Sequence, residues 1–158
     1  YLTHIKLYPV VKEIKNPYFE KEVDTLRREI GMIPITKKDS AKTILSELKK
    51  NQVVAIVIDQ WAGNEGIWVD FFGSPTSTTS IPARLSRRAG CALLPAYCLR
   101  QSPGRYQIRV LAPIDVNGGE ETWEYNTTKR LNQLLEEQIR AYPAQWFWGH
   151  RRWKPKPA

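Results

Sequence analysis

Hydrophobic positions recur along the chain with two spacings. Phe19, Val23, Leu26 and Ile30 are four, three and four apart, which predicts an amphipathic helix over Tyr18–Ile30. Asn16-Pro17 precedes it and Gly31 ends it. Ala41, Ile44, Leu45 and Leu48 mark the inner face of a second helix capped by Asp39 or Ser40. A third helix is predicted from Ile81 to Ala89, capped by Thr79 or Ser80 and tolerating Pro82 in its first turn. Leu131, Leu134, Leu135 and Ile139 mark a fourth. Between these lie strand patterns. Tyr8–Ile14 and Met32–Thr36 are short and β-branched, and Val53–Ile58 is six apolar residues without polar alternation. The last pattern predicts a strand buried on both faces of a parallel sheet. Cys91–Leu99 and Tyr106–Leu111 are predicted strands joined by a Ser102-Pro103-Gly104 turn. Strands alternating with helices make the fold α/β: a mixed, mostly parallel sheet flanked by helices, with an antiparallel addition near the C-terminal end.

Length and composition narrow this further. The chain has 158 residues, 42% of them apolar, which suits a single domain over 1–158 with its own core. No apolar run approaches the ~20 residues of a membrane span. The chain opens at Tyr1, without an initiator Met and inside ordered-looking sequence, so an upstream part of a longer protein is expected. Cys91 and Cys98 sit in apolar context and read as buried free thiols. Two cysteines with two distant histidines, His4 and His150, do not make a metal site. The net charge of +8 suits nucleic acid, an anionic membrane surface or an acidic protein partner, without choosing among them.

Three stretches carry candidate chemistry. In VVAIVIDQWAGNEGIWVDFFG, Asp59 ends the buried-strand pattern, where open α/β sheets bind ligands. Phe71 and Phe72 return beside it as core or as a groove wall. In SPTSTTSIPARLSRRAG, Thr78, Thr79 and Ser80 precede a helix N-terminus, and Arg84, Arg87 and Arg88 share a helical face. That arrangement suits a phosphate or carboxylate, or simply a capped helix with a solvated basic face. In PAQWFWGHRRWKPKPA, Trp146, Phe147, Trp148 and Trp153 crowd around His150, Arg151, Arg152, Lys154 and Lys156. This tail suits a membrane interface or single-stranded nucleic acid, or is held to the body by its tryptophans. Neither histidine adjoins a nucleophile.

The segments IKNPYFE, VIDQWAGNEGIWVDFFGSPTSTTSIPARLSRRAGCALLPAYCLR and YPAQWFWGHRRWK, in that order, resemble the lipid A biosynthesis acyltransferases of the lysophospholipid acyltransferase superfamily. The resemblance covers about Val10 to Lys154 and implies a glycerolipid acyltransferase-like fold. It implies transfer of a fatty acyl chain from acyl carrier protein, or acyl-CoA, to a hydroxyl of a lipid A precursor or related glycolipid. It places the enzyme on the cytoplasmic face of a bacterial inner membrane, with no cofactor, no metal and no nucleic acid. The superfamily's catalytic dyad is His-x-x-x-x-Asp/Glu. No copy occurs in this chain, so the catalytic pair is expected upstream of Tyr1 and the chain alone is expected to be inactive. By the same resemblance, substrate-binding positions are Lys12, Asp59, Gln60, Phe71, Phe72, Gly73, Thr78 and Arg84. Lys12 stands where the family often has Arg, keeping the charge but not a bidentate phosphate contact. Asp59 would organise a basic residue such as Lys12 or Arg84 under the headgroup, and the phenylalanines would line the acyl groove. Trp146, Trp148, Arg151, Arg152, Trp153 and Lys154 would meet the membrane or a partner. A non-catalytic lipid-binding relative and a basic nucleic-acid-binding module are the competing classes. The second lacks a recognisable module pattern.

Overall fold

The computed structural model describes residues 6–36, 40–119 and 121–155. His4, Asp39 and Lys156 lie outside the described residues. The chain divides into two compact units, Tyr1–Val57 and Ile58–Ala158.

The first unit is a β-α-β-α-β arrangement: β1 (Leu7–Val11), α1 (Pro17–Glu29), β2 (Ile35–Thr36), α2 (Ser40–Lys49) and β3 (Val53–Ala55). The strands form a parallel sheet in the order β2-β1-β3, with Val10 opposite Ile35 and Leu7 opposite Val53. The Asn16 side chain caps α1 by accepting from the Tyr18 and Phe19 amides, and Pro17 occupies the first turn, where its missing N–H costs nothing. The helix therefore forms where its spacing predicts, yet it has no buried residue, and Phe19, Leu26 and Ile30 of its apolar stripe are exposed. The α2 helix packs on β2 and β3, with Ile44 in the core. The expected strand over Val53–Ile58 is half that length. It sits at the sheet edge with one strand neighbour, and Val53 and Val57 are 44% and 68% exposed. An apolar run suited to two covered faces is covered on less than that among the described residues.

The second unit is built on two antiparallel hairpins and two helices. Strands β4 (Ile67–Phe71) and β5 (Ser74–Thr78) pair in register from Ile67–Thr78 to Phe71–Ser74. The two-residue turn between them is Phe72-Gly73, with φ of +53° and +76°. Both signs match the primed turn that fits the twist of a hairpin, a conformation Gly adopts freely and a phenylalanine seldom does. Helix α3 (Ile81–Ala89) has the predicted bounds. Strands β6 (Ala96–Ser102) and β7 (Arg105–Val110) follow, joined by the predicted turn. Every residue of β7 is exposed, so its apolar alternation marks a face with no cover. The 19-residue α4 (Trp123–Ala141) packs against β4 and buries Thr127, Thr128, Leu131, Asn132 and Ile139. The protein is thus mixed α/β. Among the described residues its parallel part is three strands, and the other strands pair as hairpins. No helix among the described residues is long and apolar enough to cross a membrane.

Candidate functional site

The polar centre of the second unit is assembled from four segments: the loop after Asp59, β5, α4 and the C-terminal tail. Strand β5 reads Ser-Pro-Thr-Ser-Thr, a composition typical of loops, yet Thr76, Ser77 and Thr78 are completely buried. Buried hydroxyls require partners, and each has one. Thr76 donates to the Arg152 carbonyl, Ser77 to the Gly63 carbonyl, and Thr78 bonds with the Asn132 amide, whose nitrogen donates to it at 3.0 Å. Asn132 also donates to the Asp70 carbonyl at 3.3 Å, tying α4 to β4. Gly66 is small by necessity, since a Cβ there would collide with the Ser77 hydroxyl.

Arg152 occupies the middle of this centre and is fully buried. One terminal nitrogen donates to the Gln60 carbonyl at 2.8 Å and the Ser77 carbonyl at 2.6 Å. The other donates to the Thr78 hydroxyl at 2.7 Å and the Asn132 amide oxygen at 3.3 Å. Its guanidinium carbon lies 5.2 Å from the Phe71 ring centroid. Burial lowers its pKa from the ordinary arginine value to about 10, and the negative charge of Asp59 opposes that shift. Arg152 therefore remains a cation at neutral pH, with Asp59 as the carboxylate whose field it feels.

Asp59 itself is half-buried, and its Oδ1 is enclosed without a hydrogen-bond partner. The Trp61 indole nitrogen and His150 Nδ1 are enclosed and unpartnered in the same way. Gln60 is exposed. Arg152 Nε is likewise enclosed and unpartnered, and a half-buried carboxylate whose charge acts on that cation can accept a hydroxyl or amide donor, or orient a second cation, only through the part of it that reaches solvent. Among the described residues, no group of three or more His, Cys, Asp or Glu is placed to hold a metal.

The aromatics fall into two environments. Phe71 is fully enclosed. Phe72 contacts it edge-on at 4.9 Å, Trp153 stacks at 5.5 Å and Trp146 lies at 6.0 Å. The Trp153 indole also donates to the Phe71 carbonyl at 3.1 Å. Phe72, in its strained turn, reaches the surface. Its amide donates to Glu136 at 2.8 Å, and its ring contacts Trp148 at 6.3 Å and the Arg140 guanidinium at 4.8 Å. Phe71 thus has no free face, and Phe72 is the phenylalanine of the pair that presents one.

Lys12 is exposed in the loop after β1, in the first unit. Thr78 commits its hydroxyl to Arg152 and Asn132 instead of pointing at a helix N-terminus. Thr79 takes the capping role, accepting from the Ile81 amide at 3.3 Å. Arg84 is 3.8 Å from Glu124, and Arg87 lies over the Trp123 ring at 4.3 Å, so two of the three arginines of α3 turn toward the start of α4. In the tail, Arg151 is exposed while Arg152 is inside, and the turn that the Arg152 amide closes on the His150 carbonyl separates the two. Lys154 sits over the Trp61 ring at 4.0 Å. Trp148 and Phe147 are 55% and 74% exposed. Sequence reasoning missed Asn132, Glu136 and Thr76. Asn132 had a signal: it is a polar residue between Leu131 and Leu135 on the buried face of a helix.

Comparison with known proteins adds an independent line. Residues 4–155 match the description of the bacterial lipid A biosynthesis acyltransferases. A phosphatidylinositol mannoside acyltransferase of Mycobacterium tuberculosis is 32% identical over 111 residues, covering 70% of this chain and 34% of that protein. Its Mycolicibacterium smegmatis counterpart is 25% identical over 148 residues, 91% of this chain and 47% of that protein. The lipid A biosynthesis palmitoleoyltransferase of Escherichia coli is 28% identical over 123 residues, 76% of this chain and 39% of that protein. The chain thus spans less than half the length of each of these curated relatives.

Proposed function

Because the chain belongs to the bacterial lipid A biosynthesis acyltransferase family, we propose that it is part of an enzyme that moves a fatty acyl group from a thioester to a hydroxyl of a glycolipid. The family match across residues 4–155 carries this reading. The relatives act, by their names, on lipid A and on phosphatidylinositol mannoside. Both acceptors combine sugar hydroxyls with phosphate, which suits a basic chain of net charge +8. The donor in this reading is acyl carrier protein, an acidic partner, or acyl-CoA. The site of work is the cytoplasmic face of the bacterial inner membrane.

Within this chain the Asp59–Gln60 loop is the acceptor-side element. The half-buried Asp59 carboxylate accepts from a sugar hydroxyl or orients a cationic side chain that grips the headgroup. Phe72 and the exposed Phe147 and Trp148 supply apolar surface for lipid. Attack by a hydroxyl on a thioester needs a base. His4 is followed five residues on by Pro9 and His150 by Pro155, so neither has the carboxylate partner of the superfamily dyad. The reading assigns the base to a His–carboxylate pair ahead of Tyr1. The test is direct. The full-length protein, given acyl-carrier-protein thioester and a lipid A precursor, should yield acylated glycolipid detectable by mass spectrometry. Absence of product with that acceptor and with phosphatidylinositol mannoside, for both thioester donors, would refute it.

A further inference from the structure

Arg152 is an unusual anchor. Four of its donor contacts reach three different segments: the Gln60 carbonyl, the Ser77 carbonyl and Thr78 hydroxyl, and Asn132. Its own backbone is pinned as well, by the Thr76 hydroxyl on its carbonyl. The tail residues after it hold the same region, with Trp153 on Phe71 and Lys154 over Trp61. The C-terminal tail therefore straps the loop from Asp59 to Gly63 against the β4–β5 hairpin. A buried cation is a poor device for stability alone, because well-packed apolar residues of the same volume hold a fold as well or better. It is a good device for fixing the position of a loop, since a planar fork binds two carbonyls in one geometry.

We propose that Arg152 is a positioning residue for the reaction: by holding the Gln60 carbonyl and acting on Asp59 with its charge, it fixes the half-buried Asp59 carboxylate in place for the acceptor headgroup. The proposal rests on the acyltransferase reading and assigns the HRRW segment a role inside the protein that its surface-like composition conceals. Lysine keeps the charge but not the fork, so Arg152→Lys should loosen the loop while leaving a cation in place.

The experiment is a double-mutant cycle in the full-length protein, with Arg152→Lys, Asp59→Asn and the pair, read as kcat/KM for the glycolipid acceptor at saturating thioester, with melting temperatures alongside. Arg152→Lys is expected to lower kcat/KM by about tenfold or more, through the KM of the acceptor and not that of the donor. In the Asp59→Asn background the same change should cost almost nothing further, because residues acting as one unit are not additive. An equal loss in both backgrounds, or none in either, overturns the proposal and leaves the acyltransferase reading standing. Wild-type turnover by Asp59→Asn alone removes the Asp59 site and this proposal together. If Arg152→Lys does not fold, Thr76→Val takes its place. It frees the tail's hold on β5 without touching the guanidinium, and it should show the same non-additivity with Asp59→Asn at smaller amplitude. Additive losses there overturn the proposal equally.

Discussion

Replacing Phe71 by Ala removes the ring on which the C-terminal tail is folded. Phe71 is completely enclosed by Phe72, Trp146, Trp153 and the Arg152 guanidinium. Deleting a buried phenylalanine ring costs roughly 3–5 kcal/mol, from lost transfer energy and the cavity left behind. The edge-on and stacked contacts place this site in the upper half of that range, at about 4–5 kcal/mol, since aromatic pairs add about 0.5–1.5 kcal/mol beyond area. A domain of ~100 residues has about 5–15 kcal/mol in all and loses ~4–8 °C per kcal/mol. The unit Ile58–Ala158 should therefore melt at least 15 °C lower, to the order of magnitude that scaling allows. Phe71→Leu, which keeps part of the volume but loses the ring contacts, should cost less than Phe71→Ala. Tryptophan fluorescence reads the packing directly, because Trp146 and Trp153 lose their neighbour and should shift to the red. A melting temperature within about 3 °C of wild type, on a scale of 4–8 °C per kcal/mol, would show that the tail is not held by this contact.

Two further predictions follow from the placement of the tail and from the proposal that the catalytic base is not in this chain. Neutralising the exposed Arg151 together with Lys154, and leaving the buried Arg152 intact, should weaken binding to anionic liposomes by about tenfold, discounted from ~1 kcal/mol per charge because Lys154 is already engaged with Trp61. The effect should fade with added salt, and a fall in carrier-protein affinity with unchanged liposome binding would instead make the tail a donor-docking surface. Residues 1–158 alone should show no acyl transfer above background, and turnover by that polypeptide would disprove the assignment of the base to a segment ahead of Tyr1.

Much of the fold was legible because local signals agreed with the packing. Helix α3 has the predicted bounds, since Pro82 in its first turn and Gly90 after its last residue leave little choice. The Asn16-Pro17 start of α1 and the Ser102-Pro103-Gly104 turn are of the same kind. Where burial decides, the sequence misled. The apolar run at Val53–Ile58 predicts two covered faces, yet Val53 and Val57 are exposed and the others only partly buried, and the strand predicted over Tyr106–Leu111 exposes every residue of β7. Thr78, expected with Thr79 and Ser80 ahead of a helix N-terminus, is core together with Thr76, and both bond Arg152, which arrives from 74 or more positions away. No local pattern announces a contact of that range. The hairpin turn was hidden for another reason: Phe72 occupies a position where Asn or Gly is the usual signal, and its strain is offset by the Glu136, Arg140 and Trp148 contacts. Asp59 was legible as a candidate from its place after an apolar run, but its cation was not. Arg152 reads as surface charge next to Arg151, and only the three-dimensional arrangement separates the two.

The central claim is that the Asp59 carboxylate serves acyl transfer and not the fold. Asp59→Asn keeps the shape of the side chain, and with Oδ1 already unpartnered it takes no described hydrogen bond from the structure. The decisive measurement is acyl transfer by the full-length Asp59→Asn protein beside its melting curve. The account predicts a protein that still folds, its melting temperature lowered only as far as the buried Arg152 cation misses a facing carboxylate, and a kcat/KM lower by at least about a hundredfold, roughly 2.7 kcal/mol of transition-state stabilisation. Wild-type turnover would contradict it, and so would a loss of activity that merely tracks a loss of fold.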